Sequence, residues 1–171
     1  MVDGAIKVSD KMLAMNSPHG FPEIETLLPH RGTMLLLDRV TAFANETLSA
    51  EYQVRGDAWY ADPDARMPAW IGLELMAQAM AAHASLSAKA NGGPPQPGVL
   101  LGSRQYQAFC EAFEANTLLK VDVQQILALA DGNRAYDCAL WQDAELAAKA
   151  VLKVFQPPDF SAFMHQHSSS S

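Results

Sequence analysis

Cysteine is nearly absent from this chain. Cys110 and Cys138 are the only two, and neither has metal-ligand spacing around it. That excludes a disulfide framework and a zinc ribbon, and it leaves two free thiols expected to be buried as small hydrophobes in a reducing compartment. Positive charge is also scarce, with 12 Lys and Arg against 19 Asp and Glu for a net charge of −7. A nucleic-acid binder needs a basic face, so that class drops out. No apolar run is long enough for a membrane span, because Glu74, Gln78 and His83 interrupt the most hydrophobic stretch. Residues 1–20 carry Asp3, Lys7, Asp10 and Lys11 and lack the unbroken apolar centre of a signal peptide, so a cytoplasmic location is expected. No internal repeat and no dividing linker are visible. One domain over 21–158 is expected, with partly disordered tails at 1–20 and 159–171 and with Met12 and Met15 as alternative native starts.

What the chain does have is a stretch of strong helix formers, MPAWIGLELMAQAMAAHASLSAKANGG, from Met67 to Gly93. Pro68 suits the first helical position, and Asn91-Gly92-Gly93 is a C-terminal stop. The spacing predicts a helix over Pro68–Ala90, roughly 34 Å long at about 1.5 Å per residue. Its first half is apolar around nearly the whole circumference, which argues for burial inside the domain.

Glu74 is the only charged side chain between Met67 and Ser87, and Gln78 follows one turn later on the same face. Two readings compete. In one, Glu74, Gln78, Ser85 and Lys89 form a thin solvated stripe, since they fall within about a 60° arc at 100° per residue. In the other, Glu74 sits in an apolar pocket, where desolvation prepares a carboxyl for general-acid work.

Around this helix the pattern is strand-rich. Phe21–Leu28 reads as a short helix with Pro22 at its first position, and Pro29 stops it. Met34–Ala44 and Leu48–Arg55 read as strands, and Asp57–Arg66 as a polar loop. After a Gly- and Pro-rich loop at 92–98 come strands at Val99–Phe109, Thr117–Ala130, Ala135–Trp141 and Ala144–Phe155. Asp131-Gly132-Asn133 marks a hairpin turn. With no second long helix, parallel crossovers are not available and the sheet should be antiparallel. The expected class is α+β: one long central helix wrapped by an antiparallel sheet of five to six strands, the hotdog arrangement. Its edge strands point to pairing in a dimer.

Two segments resemble the β-hydroxyacyl-(acyl carrier protein) dehydratases: LLPHRGTMLLLDRV, Leu27 to Val40, and MPAWIGLELMAQ, Met67 to Gln78. FEANTLLKVDV, Phe113 to Val123, is a weaker match. PAW…ELMAQ together with LLGSRQY is similar to the dehydratase-like proteins of aryl polyene biosynthesis. The resemblance implies a hotdog dimer, homotypic or with another hotdog protein, and a tunnel for an acyl chain on a phosphopantetheine arm. It implies dehydration of a 3-hydroxyacyl thioester to the trans-2-enoyl form, with an acyl carrier protein as partner and no metal or other cofactor. It aligns the family's helix carboxylate with Glu74. The N–H that polarises the thioester carbonyl falls at Ala69, and Trp70 and Gln78 join it at the substrate.

The chain departs from that family at the catalytic histidine, which lies in a GHFP motif. The corresponding run here is Trp59-Tyr60-Ala61-Asp62, so Tyr60 takes the histidine's place, and no histidine occurs between Arg31 and Ala82. His30 is one candidate replacement base. Its alternative is structural, with the histidine positioning the next strand while Arg31 pairs with Asp38. Tyr60 is a second candidate, as a hydrogen-bond donor, or else a pocket wall. His83 falls about 180° from Glu74 at 100° per residue and reads as packed. Three functions therefore stand: a dehydratase with an altered dyad of Glu74 with His30 or Tyr60, an acyl-thioesterase, and a non-catalytic hotdog partner that binds acyl chains. Arg31, Arg66 and Arg104 are candidate docking groups for an acidic carrier protein.

Overall fold

The computed structural model describes residues 20–157, 159–162 and 165, so the expected tails and alternative starts lie for the most part outside the described residues. In order, the elements are α1 (Ile24–Leu27), a 3-10 turn (Gly32–Met34), β1 (Arg39–Phe43), β2 (Thr47–Gln53), β3 (Met67–Pro68), α2 (Ile71–Ala90), β4 (Val99–Ala108), β5 (Ala112–Phe113), β6 (Leu118–Ala128), β7 (Asn133–Gln142) and β8 (Glu145–Phe155). Six strands form one antiparallel sheet in the order β1-β2-β6-β7-β8-β4, and β3 pairs with β5 alone. No helix among the described residues is long and apolar enough to cross a membrane.

The helix α2 packs against β1, β2, β6, β7 and β8. Five strands at about 4.8 Å spacing are far wider than a helix of roughly 10 Å diameter, so the sheet must curl round it. This is the expected hotdog arrangement. Burial alternates along β2 and along the first half of β6, as it does in a sheet with one face on a core. Leu75, Met76, Ala79, Ala82 and Leu86 of the helix are fully buried, as are Leu48, Leu119, Val121, Leu140, Ala148 and Leu152 of the sheet.

Both ends of α2 are informative. At the C-terminus Gly92 has φ +73°, and the Gly93 N–H donates to the Ala88 carbonyl at 2.9 Å, which closes the helix as the glycines predict. At the N-terminus the expected start at Pro68 is one turn too early. Pro68 lies opposite Ala112 in the β3–β5 pair, and Ala69 donates to the Glu111 carbonyl at 2.9 Å. The φ that proline imposes fits an edge strand as well as a first helical turn, and the distant strand decides between them.

Two other expected elements are shorter than predicted. The helix at Phe21–Leu28 is a single turn, Ile24–Leu27. The strand predicted from Met34 begins only at Arg39, because the N–H groups of Leu36 and Leu37 donate to the Gln78 side chain rather than to a neighbouring strand. Cys138 is buried as expected, and burial pushes its thiol up to about 12, but Cys110 is exposed.

Candidate active site

The geometry centres on Gln78. Its side chain is fully buried and every polar atom of its amide is engaged. Oε1 accepts from Leu36 N–H at 3.0 Å and Leu37 N–H at 3.3 Å, while Nε2 donates to the Met34 carbonyl at 2.7 Å and to Glu74 Oε1 at 2.9 Å. One glutamine thus fixes both the Glu74 carboxyl and the extended segment that follows His30. That segment turns the His30 ring onto α2, with Nε2 3.3 Å from Glu74 Oε1. Side-chain exposure is 28% for His30 and 36% for Glu74, so the pair stands at an opening rather than in bulk solvent. His30 Nδ1 is buried with no partner among the described residues.

The opening leads into a cavity of about 540 Å³ with a largely apolar lining. Leu27, Leu28, Pro29, Ala77, Met80 and Ala81 wall it around the His30–Glu74 pair. The stripe of Glu74, Gln78 and Ser85 therefore exists but is not a solvated face: Gln78 and Ser85 are buried, Glu74 is half-buried at the opening, and Lys89 is exposed. Among the described residues no three His, Cys, Asp or Glu side chains gather as metal ligands do.

A family model of the ApeP dehydratases matches residues 22–165. The chain belongs to that ApeP-like family. This is the aryl polyene group to which PAW…ELMAQ together with LLGSRQY pointed. The dehydratase heterocomplex ApeI:P from Xenorhabdus doucetiae superposes with a TM-score of 0.78 at 20% identity, over 85% of this chain and 97% of that one. A hypothetical thioesterase with coenzyme A from Streptococcus pneumoniae gives 0.56 at 11% identity, over 69% and 84% of the two chains. The E. coli PaaI protein of the phenylacetic acid degradation operon gives 0.56 at 10%, over 69% and 78%. At such identities the structural likenesses establish the fold. No curated protein matches the sequence.

In this ApeP-family chain the expected site residues divide sharply. Glu74 and His30 come together. The structural alternative for the LPHR segment fails in its detail, because Arg31 Nη1 bonds the carbonyls of Leu28 and His30, while Asp38 pairs with Arg55. Tyr60 is buried away from the pair: its hydroxyl bonds that of Tyr52 and accepts from Arg55 N–H at 3.2 Å, and it does not line the cavity. Gln78 positions Glu74 and does not itself line the cavity. Trp70 is 61% exposed and is likewise not part of the lining. The Ala69 N–H is held by Glu111, and Gly72 and Leu73 donate to the carbonyls of Ala69 and Trp70, so the orphan donors at this helix start belong to Trp70 and Ile71. Of the candidate docking groups, Arg66 is neutralised by Asp62 at 3.0 Å and Asp64 at 3.2 Å, whereas Arg31 and Arg104 are exposed.

His83 is packed, as expected. It sits between Tyr136 Oη at 3.1 Å and the Asn45 carbonyl at 3.1 Å. A carbonyl only accepts, so the proton belongs on Nε2 and the Tyr136 hydroxyl donates to Nδ1. Burial lowers the His83 pKa and raises that of Tyr136 to about 12, which keeps both neutral. Arg134 escaped the sequence reading, although it lines the same cavity as Glu74.

Proposed function

We propose that this chain dehydrates a 3-hydroxyacyl thioester, carried on the phosphopantetheine arm of an acyl carrier protein, to the trans-2-enoyl form. The observation that carries this reading is the 3.3 Å contact between His30 Nε2 and Glu74 Oε1 at the mouth of an apolar cavity. Elimination needs a base for the α-proton and an acid for the departing hydroxyl. Glu74 Oε1 already accepts from Gln78 and faces His30 Nε2, which leaves Oε2 to carry the acid proton. Among the described residues His30 Nδ1 has no partner, which leaves it to serve as base. In the step, Nδ1 takes the α-proton, the C–O bond to the hydroxyl breaks, and the Oε2 proton leaves with the hydroxyl as water. Transfer of the Nε2 proton across the His30–Glu74 contact then restores a neutral imidazole and a protonated carboxyl. An imidazole from the LPHR segment thus stands in for the histidine that the GHFP position lacks.

Arg31, exposed and without a carboxylate partner among the described residues, lies beside His30 as a docking group for an acidic carrier. The exposed edge of β4 supports pairing with a second hotdog chain, and the heteromeric assembly of the ApeI:P relative favours a different one. The test is to incubate purified protein, alone and with a partner hotdog subunit, with a 3-hydroxyacyl carrier protein and follow its mass. Loss of one water supports the proposal, and Glu74→Gln and His30→Ala should each lower that rate by about 100-fold or more. Release of free acid would indicate a thioesterase instead. Unchanged turnover of the reconstituted complex carrying Glu74→Gln would indicate a non-catalytic subunit.

A further inference from the structure

The buried polar atoms that find no partner in the chain are not scattered. Among the described residues they are His30 Nδ1, Ser85 Oγ, Ser87 Oγ, Arg134 Nε and Trp141 Nε1. The residues that carry the first four line the cavity that begins at Glu74 or a smaller one that abuts it, with these atoms themselves buried behind the wall. The smaller cavity, of about 350 Å³, is lined by Asn45, His83, Ser87, Asn91 and Gln125, and it shares Ala84, Gln96, Arg134, Tyr136 and Gln156 with the larger one. Where the two meet, the apolar lining gives way to polar groups.

Arg134 is the charged member of that end. It projects from β7, half-buried, and among the described residues no carboxylate pairs with it. Its Nε finds no acceptor among them. Gln125 Nε2 donates to the Tyr136 hydroxyl at 3.3 Å, Tyr136 donates to His83, and His83 donates to the Asn45 carbonyl. That chain of bonds is neutral. The Arg134 guanidinium is the permanently charged donor at the end of the cavity opposite Glu74, with Ser85 and Ser87 beside it. A half-buried guanidinium with an unpartnered N–H favours an oxygen acceptor, above all an anionic one.

We propose that Arg134 is a specificity-determining residue that selects acyl chains carrying an oxygen acceptor at their distal end, a carboxylate before a hydroxyl, over chains ending in methyl. This rests on reading the His30–Glu74 end as the thioester end. Glu74 and Ala84 are about 15 Å apart along α2 at ~1.5 Å per residue, so the chain lies along the helix between them. The apolar wall formed by Ala77, Met80 and Ala81 suits the methylene or polyene middle of such a chain, and the polar end suits its terminus.

The test uses acyl-pantetheine amides, which can be neither hydrolysed as thioesters nor dehydrated and which carry no phosphate. A graded length series ending in methyl, hydroxyl or carboxylate is titrated calorimetrically into the full chain. At the best-fitting length the carboxylate-ended amide should bind roughly tenfold to hundredfold tighter than its methyl-ended counterpart, the effect of one charge-assisted hydrogen bond. Arg134→Leu should erase that preference while leaving methyl-ended binding intact. Arg134→Lys, which keeps the charge and guards against a folding defect, should retain part of it. Equal binding of all three tails by the wild-type chain would overturn the proposal, and so would a preference that survives in Arg134→Leu. It would also fail if affinity followed a phosphate added to the pantetheine arm rather than the tail, since Arg134 would then hold the arm. Because binding is read without turnover, tail selection with no dehydration would sink the enzymatic reading alone. Dehydration of methyl-ended substrates as fast as of the others would sink the selection alone.

Discussion

Gln78 ties two distant parts of the chain through one amide, and the consequences of replacing it follow from counting its bonds. Gln78→Leu strands the N–H groups of Leu36 and Leu37 without an acceptor, at roughly 1–3 kcal/mol for each buried donor left bare. The expected loss is about 2 kcal/mol or more, read by urea unfolding, and Glu74 loses its orienting donor in the same substitution. His83 illustrates a different principle, that of a titratable group kept neutral by burial. Its folded-state pKa lies below the ordinary 6.5, so at acid pH the unfolded chain takes up a proton that the folded one refuses. Its contribution is therefore complete above about pH 6.5 and declines as the pH falls below that value. Melting temperatures of the native chain and of His83→Gln should be furthest apart near pH 7.5 and converge toward pH 5.5. A constant gap would mean that His83 does not titrate on unfolding. Helical spacing alone places Gln78 on the Glu74 face and His83 on the opposite, packed one, but it names no bonding partner for either. What separates them is the partner each meets from elsewhere in the fold.

At the scale of elements, the body of α2 was legible because composition, the glycine stop and the lack of internal breakers all agree. Its start was not, because Pro68 satisfies two local rules and a strand more than forty residues away chooses between them. The same holds for the segment after Met34, whose branched residues suit a strand but whose N–H groups turn to Gln78. The site followed this division. Glu74 could be found from its isolation on an apolar helix, whereas its contact with His30 depends on a loop path that no periodicity encodes. A packing test belongs at this scale. A Cβ on Gly72 would lie 2.6 Å from Tyr106 Oη and 3.0 Å from Leu140 Cδ2. Alanine improves helix propensity by up to about 1 kcal/mol, while overpacking costs about 1–3. Gly72→Ala should therefore be net destabilising. Removing the hydroxyl in a Gly72→Ala, Tyr106→Phe double variant should recover part of the loss, beyond the sum of the single changes. A strictly additive double-mutant cycle would show that Tyr106 is not the obstacle.

For the whole molecule, the antiparallel sheet and the single buried helix were both legible, since they follow from the element order. What stays incomplete in one chain is the β4 edge. Leu100 and Leu101 are exposed there, with bulges after Leu100 and Arg104. A long edge with exposed leucines is a template for another strand unless something covers it. Leu101→Glu alters no buried contact, so the chain should fold while its assembly weakens. Light scattering should then show a shift toward monomer mass, and melting temperature should lose its dependence on protein concentration. An unchanged mass would place the interface elsewhere.

The Gln78 amide also gives the protein a built-in indicator. Because the backbone protons of Leu36 and Leu37 rest on the same carboxamide whose other end touches Glu74, their nuclear magnetic resonance frequencies should report the ionisation of that acid. The state of the carboxyl can then be followed with no substrate added, from two peaks in a pH series. Replacing Glu74 by glutamine should leave those peaks flat.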